Sequence, residues 1–166
     1  IPKNKSPKTL GEWRPISLMS SLQKLYCAVV SKIFDQYLEW PNYIAGFQEG
    51  RQTMELSFSV QQAFEKSLLA GRGCWVAKLD VSKAFDMIDH DTFRCKALQA
   101  GVHPYIVLSI LREWAGAEAS FWVQDFVADV DLFAGGRQGG RDTPRLWNAY
   151  LFWIIKDTVQ TWLEKG

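Results

Sequence analysis

Residues Lys78-Leu79-Asp80-Val81-Ser82-Lys83-Ala84-Phe85-Asp86-Met87-Ile88-Asp89-His90-Asp91 carry the decision about this chain. Asp80 closes a short apolar run that reads as a strand, and the aromatic Phe85 stands just beyond it. A carboxylate at the mouth of a buried strand is placed to hold a divalent metal, because such ions prefer hard oxygen ligands. An aromatic beside it can wall a substrate pocket. The two together point to phosphoryl chemistry.

Working outward, the pattern Asp-x-x-x-Ala-Phe-Asp over 80–86 resembles the first catalytic block of reverse transcriptases, especially those of non-LTR retrotransposons and group II introns. Three further matches fall in the same order as in that family. Ile1-Pro2-Lys3 leading to Trp13-Arg14-Pro15-Ile16-Ser17-Leu18 resembles the opening of the domain, and Gly46-Phe47-Gln48-Glu49-Gly50-Arg51-Gln52-Thr53 resembles the next block. Arg137-Gln138-Gly139-Gly140-Arg141-Asp142-Thr143-Pro144 resembles the Gln-Gly block, with Thr-Pro where the family usually has Ser-Pro. Each motif alone is a weak signal, but four in order across nearly the whole chain are a strong one. The family's second catalytic block, an aromatic followed closely by Asp-Asp, has no counterpart: the chain contains no Asp-Asp pair. The expectation is a fragment or truncated copy that lacks the last part of the palm and the thumb.

At 166 residues, 48% apolar and 14% aromatic, the chain has the size of one domain and ample material for a core. The net charge of +1 excludes little, but Lys3, Lys5, Lys8, Arg14 and Lys24 face only Glu12 within the first 24 residues. That cluster suits phosphates, although basic runs are also ordinary solvated surface. Cys27, Cys74 and Cys95 are odd in number and form no Cys-x-x-Cys pair, which indicates neither a disulfide framework nor a zinc site. Reduced thiols imply an intracellular protein, and the resemblance implies the nucleus. The most apolar stretch, Tyr150 to Ile155, is far short of a membrane span, so no membrane partner is expected.

Leu22, Leu25, Tyr26, Val29, Ile33, Tyr37 and Leu38 recur at three- and four-residue steps, which predicts a long amphipathic helix stopped before Pro41. Pro2, Pro7, Gly11 and Pro15 make the preceding segment two extended arms around a polar loop. Leu56, Val60, Phe64 and Leu68 mark a second helix ended at Gly71. Residues 74–80 alternate as a strand, a helix begins near Asp89 or Asp91 as N-cap and ends at Gly101, and Pro104 suits the first turn of the next. Residues 119–124 and 127–133 pair as a hairpin, and a glycine loop leads to a last helix capped by Asp142 or Thr143. The class is α+β, helix-rich with a small antiparallel sheet. The resemblance implies one partial right-hand polymerase domain, with fingers over about 1–73 and part of the palm over about 74–166.

The same resemblance assigns roles residue by residue. Asp80 is the implied catalytic carboxylate and Mg²⁺ ligand, the backbone carbonyl of Val81 a second contact, and Phe85 the aromatic gate that excludes a ribose 2′-hydroxyl. Lys3 and Arg14 match fingers positions that grip the incoming triphosphate, Arg51 faces template or triphosphate, and Gln138 with Gly139 packs near the nascent base pair. The implied partners are an RNA template, a DNA primer and deoxynucleoside triphosphates, joined by two-metal nucleotidyl transfer. Blander readings stand beside these. Asp80 can cap a turn, Phe85 by spacing alone is a core residue, Lys3 and Arg14 suit any exposed hairpin, Gly50-Arg51 is a loop-to-helix entry, and the glycines make a tight turn. Asp86, Asp89, His90 and Asp91 look like a metal cluster, but an acidic helix start is favoured because their side chains would point around a helix rather than converge. The competing functions are a catalytically dead remnant or nucleic-acid-binding module and, more weakly, an RNA-dependent RNA polymerase, against which Phe85 and Gln138-Gly139 argue.

Overall fold

A computed structural model describes residues 3, 5, 6, 8, 9, 12, 13, 16–115, 118–123, 126–131 and 134–165. Its elements in chain order are α1 (Ser21–Asp35), α2 (Thr53–Leu69), α3 (His90–Gln99), α4 (Pro104–Ala115), β1 (Glu118–Val123), β2 (Phe126–Asp131) and α5 (Thr143–Lys165). They divide into two compact units, Ile1–Glu39 with Lys83–Gly166, and Trp40–Ser82.

The larger unit owes its helix starts to local chemistry. Ser20 caps α1 by accepting from the Gln23 N–H, and Asp89 caps α3 by accepting from the Thr92 N–H at 2.7 Å. The Thr92 side chain, and after it this N–H, hold the Asp89 carboxyl below its ordinary range by hydrogen bonding, which makes an acidic helix start. Asp91 pairs with Arg94 instead, and Asp86 lies upstream of the helix. Pro104 opens α4, where its missing N–H is no loss.

The core of this unit is aromatic and is shared by four helices. Phe93 of α3 is fully buried and touches Phe34 of α1, Trp114 of α4 and Trp153 of α5, with ring centroids 6.1, 5.0 and 5.8 Å away. Offset and edge-on pairs of this kind add to the area they bury. Leu146, Ala149 and Val107 are buried in the same unit.

The face that α1 turns inward differs from the predicted one. Cys27, Val30, Ser31 and Phe34 are buried, whereas Leu22 is 80% exposed and Leu25, Tyr26 and Val29 are also exposed. The two stripes lie roughly 130° apart around a helix of 3.6 residues per turn. Both are largely apolar, so periodicity finds the helix and only packing against α3, α4 and α5 chooses the stripe.

β1 and β2 pair antiparallel, Glu118 opposite Asp131 and Val123 opposite Phe126, close to the predicted hairpin. Among the described residues they pair only with each other.

In the smaller unit, α2 buries none of its residues and its Gln52 N-cap makes no side-chain capping bond. The strand expected over 74–80 is absent. Residues 73–80 have no regular structure, and Trp75 is 97% and Leu79 85% exposed. Alternation states which way side chains would face, but a strand exists only where a neighbouring segment supplies donors and acceptors. None of the described strands does so here. Among the described residues no helix is long and apolar enough to cross a membrane.

Candidate functional site

The site is built around the glycine loop that joins β2 to α5, and three segments far apart in sequence meet there. Gly135 donates its N–H to the Ile88 carbonyl at 2.9 Å, and Gly136 donates to the Phe85 carbonyl at 2.8 Å. His90 Nε2 lies 2.9 Å from the Gly135 carbonyl, while its ring stacks on Trp114. The loop is thereby laid along the turn at 83–88. Gly135 has φ +85°, and a Cβ there would sit 2.8 Å from the Asp86 Cα and 2.9 Å from the Phe85 carbonyl oxygen. Only glycine fits this approach.

Gln138 reaches in two directions. Its side-chain amide donates to Asp86 Oδ1 at 3.0 Å, and its carbonyl accepts from the Ser17 N–H at 2.7 Å. Gly139 packs against that same segment, its Cβ position 3.0 Å from the Ser17 carbonyl oxygen. Phe85 is half-buried with its ring edge-on to Trp147 of α5, centroids 6.3 Å apart. Of the predicted residues, Phe85, Gln138 and Gly139 therefore share one locality. Ser17 and Asp86 join them; the signal for each was its membership of a motif block, but no rule of spacing connects residues 52 apart, as Gln138 and Asp86 are.

Asp80 and Val81 belong to the smaller unit, both exposed and in irregular backbone. Arg51, in that unit, is engaged close to home: Nη1 pairs with Glu55 at 3.0 Å, and Nη2 donates to the Asn42 carbonyl and Oδ1 at 3.3 and 3.4 Å. This is the loop-to-helix geometry of its blander reading. Lys3 is exposed and its main-chain N–H donates to the Glu12 carbonyl at 2.7 Å. Arg14 lies outside the described residues.

The base of the loop is buried and charged. Asp142, 7% exposed, precedes α5 and accepts through its main-chain carbonyl from the Arg145 and Leu146 N–H groups. Burial raises its carboxyl above the ordinary 3.8, against the opposing pull of its own and the Thr143 amides and of Arg137. Burial also pushes the nearby Cys27 thiol up to about 11, which makes it an inert packing residue. A carboxyl with a raised folded-state pKa binds its proton more tightly in the folded chain. Its contribution is therefore greatest below 3.8 and is lost as pH rises through the folded value. Asp142→Asn should flatten this part of the pH dependence. Urea melts of both proteins at stepped pH would check it, and parallel curves from 3.8 upward would refute it.

Comparison with known proteins decides the family. The profile of the reverse transcriptase (RNA-dependent DNA polymerase) family matches residues 1–164. The chain belongs to this family. Among similar proteins are the retrovirus-related Pol polyprotein from type-2 retrotransposable element R2DM of Drosophila melanogaster, 30% identical over 64% of the chain, and that from type-1 retrotransposable element R2 of Popillia japonica, 26% identical over 91%. A probable RNA-directed DNA polymerase from transposon BS of Drosophila melanogaster is 30% identical over 56%. The chain spans only 10%, 22% and 11% of those proteins' lengths. No solved structure matches it. In this reverse transcriptase chain, the loop geometry joins the Gln-Gly block, the Phe85–Asp86 end of the Asp block and the Ser17 end of the opening block.

Members of the family use a divalent metal, and the donors present can be tested against one. Mg²⁺ takes oxygen ligands in a near-ideal octahedron and is usually held by one or two carboxylates with waters. Among the described residues no three His, Cys, Asp or Glu side chains gather around a point. Asp80 with the Val81 carbonyl is a single side-chain donor in exposed irregular backbone, and does not make up a two-metal site.

Proposed function

We propose that the chain is the nucleotide-facing part of an RNA-directed DNA polymerase of a non-LTR retroelement, with fingers from about 1–73 and part of a right-hand palm from about 74–166. Its partners in this reading are an RNA template, a DNA primer and deoxynucleoside triphosphates. The observation that carries it is the convergence of Ser17, Phe85–Asp86 and Gln138–Gly139, since three blocks with no local reason to meet are tied by main-chain hydrogen bonds and by one between the Gln138 and Asp86 side chains. Gln138 offers amide donors to a sugar or phosphate oxygen, and Gly139 lets backbone approach a ligand closely. Phe85 presents a ring fixed by Trp147, a surface that leaves a 2′-hydroxyl neither room nor a replacement for its lost water. Asp80 is the proposed metal-binding carboxylate, and Lys3, Arg14 and Arg51 the proposed cationic contacts. With one such carboxylate, the 166-residue chain should not extend a primer by itself.

Nucleotide binding on a primed RNA template tests the reading. The chain should hold a deoxynucleoside triphosphate more tightly than its ribose counterpart, and Phe85→Ala should narrow that ratio by about tenfold to a hundredfold. If Phe85 only packs on Trp147, truncation instead removes up to about 3 kcal/mol of stability and weakens both sugars alike. A wild-type chain that binds neither nucleotide would overturn the assignment, and leave a nucleic-acid-binding remnant as the alternative.

A further inference from the structure

The geometry points to Glu113 of α4 as the positioning residue of the Gln138–Gly139 loop, acting through Arg137. The argument rests on the reading that this loop faces the nucleotide.

Arg137 immediately precedes the loop's working residues, and its guanidinium is gripped twice by one residue. Nη1 pairs with Glu113 Oε2 at 3.1 Å, and Nη2 donates to the Glu113 main-chain carbonyl. A planar fork held at two points fixes orientation as well as distance, which a lysine in the same place would not do. The same Glu113 Oε2 accepts from Gln23 Nε2 of α1 at 3.0 Å. One carboxylate thus ties α1, α4 and the loop together. The side chains of Arg137 and Glu113 are only 13% and 27% exposed, so solvent screens the pair less than it would a surface bridge.

The main chain of Arg137 is held from the other side. Its carbonyl accepts from Thr143 Oγ1 at 2.9 Å and from the Gly140 N–H at 3.1 Å. With both ends fixed, the next residue has little freedom, and the Gln138 carbonyl is presented to the Ser17 N–H. The Gln138 side chain is held more weakly, because its bond to Asp86 is exposed. Loss of the Glu113 charge should therefore loosen the loop before it loosens the helices. Val107 and Ile110 of α4 and Leu146 of α5 are buried by apolar packing that does not use this charge and should stay packed.

Glu113→Gln keeps the shape and removes the charge that holds Arg137. Two readings on the 166-residue chain test the assignment. Amide hydrogen exchange at Ser17 and Gly140 should quicken by about tenfold, the scale of one charge-assisted hydrogen bond, while the centres of α1 and α4 at Val30 and Ile110 keep their rates. On a primed RNA template, the Kd for a deoxynucleoside triphosphate should rise by a similar factor with the Kd for the template unchanged, a split that general destabilisation would not give. Arg137→Lys, which keeps the charge and loses the fork, should show the same pattern and stands in if Glu113→Gln does not fold. Unchanged exchange at Ser17 and Gly140, or a uniform increase that includes Val30 and Ile110, would overturn the assignment. Exchange confined to the loop in a chain that binds no nucleotide would uphold the positioning and overturn the nucleotide reading alone.

Discussion

Phe93→Ala should destabilise the larger unit by about 3–5 kcal/mol, the range for removing a fully buried aromatic ring from a core that cannot collapse onto the gap. Phe93 is 0% exposed and joins Phe34, Trp114 and Trp153 on three other helices, so no single neighbour can move to fill the space without leaving another contact. A domain's whole stability is about 5–15 kcal/mol, so the variant should be near its unfolding midpoint in mild denaturant. Urea titration followed by tryptophan fluorescence reads this directly, since Trp114 and Trp153 report from the same cluster. A loss below about 1 kcal/mol would mean that this aromatic core is not the one the chain uses.

Gly135→Ala should have the largest effect of any change in the loop. Two costs combine: an L side chain at φ +85° carries about 1–2 kcal/mol of left-handed strain, and its Cβ would stand 2.8 Å from the main chain of Asp86. Backbone cannot swing aside as a flexible side chain can. The turn at 83–88 or the loop itself must move, and the bonds from Gly135 to Ile88 and from Gly136 to Phe85 go with it. A total of about 2–4 kcal/mol is expected, together with loss of the Gln138–Asp86 contact and of nucleotide binding. Gly101→Ala is the control, because Gly101 has φ +84° and nothing within 4 Å of its Cβ position. It should cost only the strain, about 1–2 kcal/mol. Denaturant melts that give equal losses for the two variants would show that the close approach between the loop and the Asp block does not occur in solution.

The sequence by itself determined the features whose causes are local. Asp89 caps α3 because its carboxylate and the Thr92 N–H are three residues apart, Pro104 opens α4, and the β1–β2 hairpin closes between segments adjacent in the chain. The family, too, was legible, because four ordered motifs do not depend on knowing where they lie in space. Tertiary structure alone decided which stripe of α1 faces inward, since Leu22 and Cys27 are both apolar candidates and only the partner helices choose between them. It also decided against a strand over 74–80, whose alternation finds no strand to pair with among the described residues. The meeting of Ser17, Asp86 and Gln138, and the hold of Glu113 on Arg137, were invisible for the same reason. A hydrogen bond between distant residues is set by how the helices stack, and stacking is a property of the whole core rather than of any window of sequence.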